Sequence, residues 1–200
     1  MIVRSVGWAA ALVELDSAGE VRAAYRRLLE LRAAGELPGV VEVVPAARTV
    51  LVEGGPLPDL AALLGDLTAA PAAEGPAVEL PVAYDGPDLA DVAELTGLPA
   101  GEVVRRHAGT DFVVAFCGFA PGFAYLTGLP AELHVPRRAT PRTAVEAGSV
   151  GIAGEFSGVY PRRSPGGWQL LGHTDVVLWD TERDPPALLA PGTRVRFVLS

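Results

Sequence analysis

The groups able to do chemistry in this 200-residue sequence are few, and they crowd into its second half. Phe116-Cys-Gly-Phe-Ala-Pro-Gly-Phe-Ala-Tyr-Leu126 is followed by Ala139-Thr-Pro-Arg-Thr143, Gly148-Ser-Val-Gly-Ile-Ala-Gly154 and Ser164-Pro-Gly-Gly-Trp-Gln169. Ten of the 23 glycines fall between Gly118 and Gly172. Glycine is costly to order, so such clustering implies special turns or close approach of backbone to a ligand. The polar side chains inside the frame are sparse: Arg142, Gln169, His173 and Thr174. This pattern reads better as a small-molecule pocket than as a plain core.

Each group carries a chemical reading and a bland one. Pro141 stiffens the segment before Arg142. A guanidinium held there suits a bidentate grip on a carboxylate, although 24 acidic residues also make a surface ion pair easy to form. Gln169 can bind an amide through its donor and its acceptor, or stand exposed on a strand. Backbone N–H groups around Gly151, Ile152 and Ala153 can cradle an anion or a carbonyl oxygen, or belong to a strand between glycine bends. Pro121 and Gly122 set a tight turn that fixes Phe119 and Phe123, as an apolar pocket wall or as a buried turn. His173, beside Gly172 and Thr174, is the candidate catalytic proton carrier. His107 lies near a helix end, where positive charge is favoured, and reads as structural. His134 reads as exposed, and Cys117 as an inert buried thiol.

Composition excludes several classes. The net charge of -8 argues against nucleic acid, whose phosphates need a basic face. The sequence contains no lysine, which removes a phosphate loop ending in Gly-Lys, a lysine Schiff base and a lysine general base. A single cysteine and the absence of zinc-like spacing fit a reducing compartment, so a cytoplasmic location is expected. No signal-peptide pattern opens the chain. Residues 112–131 lack charge over a bilayer-spanning length. However, Gly118, Pro121, Gly122, Gly128 and Pro130 would break a helix in lipid repeatedly, so no membrane role is expected.

The elements that must position these groups follow from periodicity. Ile2 to Val6 and Ala10 to Leu15 read as strands. Ser17-Ala-Gly-Glu20 is a capping box ahead of a helix that stops at Gly35. Val40 to Val44 and Thr49 to Val52 read as strands, and Leu60 to Leu67 as a helix. Residues 69–75 read as a linker. Ala77 to Tyr84 reads as a strand, followed by short helices from Asp88 to Gly97 and from Pro99 to His107. Asp111 to Phe116 is a strand. Short runs then alternate with Gly and Pro turns: Gly148 to Ala153, Gly158 to Tyr160, Trp168 to Leu171, Val176 to Trp179 and Arg194 to Leu199. The prediction is an α+β chain. A small α/β sandwich occupies residues 1–76, and a β-barrel or sandwich occupies residues 77–200.

From about Tyr84 to Val198 the sequence resembles the family of the 5-oxoprolinase B subunit (PxpB), also labelled KipI-like or allophanate hydrolase subunit 1. The resemblance rests on Gly86-Pro-Asp-Leu89, Gly118-Phe-Ala-Pro-Gly-Phe123 with Tyr125-Leu126, Pro136-Arg137, Ala139 to Thr143, Gly148 to Gly154, Gly158-Val-Tyr-Pro161, Ser164 to Leu171 and Leu189-Ala-Pro-Gly192. It implies a cyclophilin-like β-barrel as the second domain. It implies a heteromeric complex with two partners, a C-type subunit of the allophanate hydrolase subunit 2 family and an A-type subunit of the LamB/YcsF family. It implies ATP-dependent opening of 5-oxoproline to glutamate, with ATP and Mg serving the complex and no cofactor motif in this chain. Phe119, Pro121, Phe123, Tyr125, Arg142, Gly151, Ile152, Ala153, Gln169 and Thr174 become the substrate-binding candidates, with His173 catalytic. Inhibition of a sensor histidine kinase is the alternative activity attached to the family name. Two departures stand out. Glu155-Phe156-Ser157 replaces a common Gly-Gln-Thr, and His173 replaces a common Arg, which implies either a changed substrate or a compensating Glu155–His173 pair.

Overall fold

The computed structural model describes residues 1–68 and 76–200. The linker expected at residues 69–75 lies outside the described residues. The chain divides into two compact units, Met1–Ala73 and Glu74–Ser200.

The first unit comprises β1 (Ile2–Val6), β2 (Ala10–Glu14), α1 (Ala18–Ala33), β3 (Val40–Pro45), β4 (Thr49–Gly54) and α2 (Leu60–Leu64). Its strands form an antiparallel sheet in the order β1-β2-β4-β3. The capping box is present: Ser17 Oγ accepts from Glu20 N at 3.2 Å, while the Glu20 carboxylate reaches back to Asp16 N at 2.8 Å. Val21, Ala24, Leu28 and Leu31 recur at helical spacing and pack on Val13, Val50 and Val52 of the sheet. The second helix is shorter than the sequence predicts. It stops at Leu64 because Gly65 turns away with φ 54°.

The second unit comprises β5 (Ala77–Val82), α3 (Leu89–Thr96), α4 (Ala100–Ala108), β6 (Phe112–Cys117), β7 (Ala124–Thr127), β8 (Arg142–Val145), β9 (Ser149–Ala153), β10 (Phe156–Val159), β11 (Ser164–Gly166), β12 (Gln169–His173) and β13 (Arg194–Leu199). Seven strands run in the order β12-β9-β10-β7-β6-β13-β5, and β8 pairs with β11 as a separate ribbon. The sheet curls until its ends meet. Ala83, just past β5, exchanges both backbone bonds with His173 of β12 at 2.9 Å, which nearly closes a β-barrel. A Cβ at Gly172 would overlap the backbone of Ala83 and Tyr84 at this seam. The mixed α/β architecture with a barrel is therefore the one expected. The barrel interior is filled by Leu80, Val82, Phe112, Val114, Leu126, Val150, Ile152, Leu171, Val195 and Phe197.

Three strands, β7, β8 and β11, carry no periodic signal because each spans four residues or fewer. The strand expected at Val176 to Trp179 is not formed. Only Trp179 bridges, to Ala187, and Val177 is exposed.

Candidate functional site

The loop between β6 and β7 is built from two successive turns. Ala120 N donates to Gly118 O at 2.7 Å, closing a three-residue turn on Phe119, whose φ is 67°. This left-handed setting is strained for a phenylalanine. Phe123 N then donates to Ala120 O at 3.0 Å, with Pro121 and Gly122 between them and Gly122 at φ 82°. That is the turn chemistry the sequence predicts for Pro-Gly. A Cβ at Gly122 would also crowd the Trp179 side chain.

The turns deliver a box of rings. Phe123, 2% exposed, packs edge-on against Phe119, Tyr125, Tyr160 and Trp168, with centroid separations of 5.3, 5.1, 5.4 and 5.4 Å. Each such pair contributes about 0.5–1.5 kcal/mol beyond the area it buries. A cavity of about 100 Å³ opens among Phe119, Phe123, Tyr125, Tyr160, Trp168 and Arg137, over Gly166 and Gly167. Gly166 must lack a side chain, because a Cβ there would overlap the Tyr160 phenol. Burial raises the Tyr160 pKa, while a Trp168 backbone hydrogen bond and the Arg137 and Arg142 charges oppose the rise. The phenol stays protonated, so it can donate a hydrogen bond into the cavity.

Behind this box lies an ionic knot. Asp88, 1% exposed, accepts from Arg138 Nη1 and Arg142 Nη2 at its Oδ1, both at 2.6 Å. Its Oδ2 accepts from Leu170 N at 2.7 Å. Asp88 thereby fixes the segment carrying Arg137 to Arg142 against β12. On the far side a wider cleft of about 720 Å³ is lined by Asp91, Glu94, Leu95, Arg138, Ala139, Thr140 and Gln169. Neighbours in sequence thus serve different cavities. Arg137 and Trp168 line the ring box, whereas Arg138 and Gln169 line the cleft.

The candidates from sequence divide accordingly. Phe119, Phe123 and Tyr125 come together at the ring box, with Pro121 in the turn that presents them. Arg142 does not reach the cavity with a free guanidinium, because Asp88 holds it. Gln169 is buried rather than strand-exposed, donates to Pro136 O at 3.2 Å, and faces the cleft. The anion cradle expected at Gly151, Ile152 and Ala153 is not available. β9 lies between β12 and β10, so its backbone groups are used in the ladders. Ile152 is core, and Ala153 packs behind Phe123 and Trp168. Thr174 is buried and is spent on local bonds, its N to Gly148 O and its Oγ1 accepting from Val176 N. His173 lines neither cavity. It is an exposed partner of Asp85 at 2.8 Å, which raises its pKa first by hydrogen bonding and then by charge. It pairs with Ser149 at one end of β9, while Glu155 sits in the turn beyond the other end, so the two do not pair.

The remaining titratable candidates are structural. His107 is fully buried at the barrel core rather than charged at a helix end. Its Nδ1 bonds Tyr84 Oη at 2.7 Å and its Nε2 bonds Ser157 Oγ at 2.8 Å. Burial pushes its pKa down to about 3. His134 is exposed and bonds Leu129 O at 3.0 Å. Burial raises the Cys117 pKa, which disfavours the nucleophilic thiolate. Among the described residues, no cluster of three or more His, Cys, Asp and Glu side chains is placed to hold a metal ion. Nor is any helix long and apolar enough to cross a membrane. Sequence reasoning missed Arg137, Tyr160, Trp168 and Asp88 as site residues, although all four lie within the glycine- and proline-rich motifs.

The family model "Carboxyltransferase domain, subdomain C and D" matches residues 1–189. The chain is 56% identical over 124 residues to the B subunit of 5-oxoprolinase from Escherichia coli O157:H7, covering 60% of this chain and 57% of that protein. It is 46% identical over 129 residues to the B subunit of 5-oxoprolinase from Haemophilus influenzae, covering 63% and 61%. The matches therefore span little more than half the length of these relatives. The crystal structure of TTHA0988 superposes with a TM-score of 0.81 at 36% identity, covering all of this chain and 40% of that one.

Proposed function

This chain belongs to the carboxyltransferase domain, subdomain C and D family, and from that premise we propose that it is the B-type subunit of an ATP-dependent 5-oxoprolinase. In this reading the ring box is where the lactam binds, and partner subunits of the A and C types complete the enzyme. The observation that carries it is a cavity of about 100 Å³, walled by aromatic faces and bordered by one arginine, Arg137. A five-membered lactam, whose ring amide is neutral and whose one charge is a carboxylate, matches both features. Apolar faces take the ring methylenes, and a guanidinium takes the carboxylate.

The geometry supports the following division of roles. Arg137 grips the carboxylate. The protonated Tyr160 hydroxyl, itself held by the Trp168 backbone, donates to the lactam carbonyl oxygen. Phe119 and Phe123 exclude water from the ring face. A lactam carbonyl is a poor electrophile, so its oxygen attacks the terminal phosphorus of ATP and ADP leaves. Water then adds to the activated carbon and the C–N bond breaks with proton transfer to nitrogen, leaving an acyl phosphate, which a second water hydrolyses to the carboxylate and inorganic phosphate. This chain's residues bind and orient the lactam. The sequence has no lysine, and no metal-holding acidic cluster lies among the described residues, so in this reading the nucleotide and its Mg are assigned to the partner subunits.

The experiment is reconstitution. This chain is co-purified with its A-type and C-type partners, and 5-oxoproline-dependent ADP release is measured with and without it. Release that requires this chain is expected. Equal release in its absence would remove the assignment.

A further inference from the structure

The second cavity does not fit a lactam whose only charge is a carboxylate. Its walls carry both signs of charge: Arg138 from the segment after β7, and Asp91 and Glu94 from α3. Glu94 is exposed and makes no ion pair among the described residues, whereas Asp91 leans on Arg138 at 3.5 Å. Two buried polar atoms of the wall residues lack any partner. Gln169 is only 5% exposed, and its Nε2 is used on Pro136 O while its Oε1 accepts nothing. Arg138 gives Nη1 to Asp88, but its Nε donates to nothing. Leaving such groups unmet costs about 1–3 kcal/mol each. The unmet set is therefore an acceptor, an unpaired carboxylate and a cationic donor, all lining one cleft.

That set is complementary to a molecule carrying an ammonium and a carboxylate together. From it we infer that the cleft between α3 and the Arg138–Thr140 segment binds a small zwitterionic α-amino acid. Its ammonium is taken by Glu94 and Gln169 Oε1, its carboxylate by Arg138, and its side-chain methylenes lie on Leu95. The ring box has no acidic side chain in its wall and cannot compensate an ammonium. The two cavities thus sort a closed lactam from an open amino acid across one shared wall. The inference extends the proposed function by giving the ring-opened dicarboxylic amino acid a place of its own, for product holding or feedback. The amino-acid site itself stands on the cleft alone.

The test is calorimetric titration of L-glutamate into the full chain. The wild type, Glu94→Gln, Gln169→Leu and Arg137→Ala variants are compared, with circular dichroism checking their fold. Binding that weakens about tenfold or more in Glu94→Gln and Gln169→Leu, but is unchanged in Arg137→Ala, is expected, since one lost charged contact is worth at least a factor of ten. Two outcomes overturn the inference: no heat with the wild type, or binding lost in Arg137→Ala and kept in Glu94→Gln, which would move the ligand to the ring box. Failure of 5-oxoproline turnover in the reconstituted complex, with this binding pattern intact, would remove the oxoprolinase reading and leave the cleft site standing.

Discussion

Arg142 and Arg138 converge on a single oxygen of Asp88, each at 2.6 Å, while the other oxygen of that carboxylate receives the Leu170 N–H. One buried negative charge thus ties the arginine segment to a barrel strand and fixes the wall between the two cavities. Removing it leaves the partly buried Arg142 guanidinium and the Leu170 N–H uncompensated, and Arg138 with only the longer contact to Asp91. Asp88→Ala should destabilise the second unit by about 3–5 kcal/mol, read as a lower urea midpoint at an unchanged slope. A midpoint within error of the wild type would show that the knot is not structural.

His107 makes the barrel acid-sensitive. Its folded pKa of about 3 lies below the ordinary 6.5, so below about pH 6.5 the unfolded chain takes up a proton that the native state does not. Its neutral form therefore stabilises above that pH, and the contribution is lost as pH falls toward 3, by up to about 1.4 kcal/mol per pH unit. Urea unfolding at pH 7 and pH 5 should show the decline in the wild type. His107→Phe should weaken the protein at pH 7 by about 1–3 kcal/mol, through the orphaned Tyr84 hydroxyl and the loss of one of the two Ser157 Oγ bonds, but should decline less between the two pH values.

Phe119 holds a left-handed backbone although more than half of its surface is exposed. Such strain costs about 1–3 kcal/mol and tends to persist where function needs it. Phe119→Gly should leave stability unchanged or raise it, while raising KM for the lactam in the assembled enzyme. A stability loss above about 1 kcal/mol would mean that the ring serves packing instead.

Tyr160→Phe keeps a ring in the box and removes the donor to the carbonyl. The expected result is a kcat/KM lower by about ten- to a hundredfold with little change in thermal midpoint, in line with the loss of one hydrogen bond to developing charge. Unchanged kinetics would remove the phenol from the chemistry.

Much of the fold is legible in the sequence, and the failures have physical causes. The Ser17 cap, the Pro121-Gly122 turn and the Phe119–Phe123 wall follow from local rules, because each is decided by residues a few positions apart. The roles of Arg142 and Gln169 are not legible. Asp88 lies far away in sequence, and only barrel closure at Ala83 and His173 brings it beside them. Glycines from Gly148 to Gly154 suggest free backbone donors, but the sheet on both sides of β9 consumes them. Tyr160, Trp168 and Arg137 escape a sequence reading because aromatic and basic residues next to glycine turns carry no periodicity. Their convergence depends on pairings such as Gly166 with Arg142.

The most direct test of the central claim is the KM for 5-oxoproline of the reconstituted complex carrying Arg137→Gln. If the ring box holds the lactam by its carboxylate, KM should rise at least about tenfold, because a charge-assisted contact worth about 1.5–3 kcal/mol is lost. An unchanged KM would contradict the account.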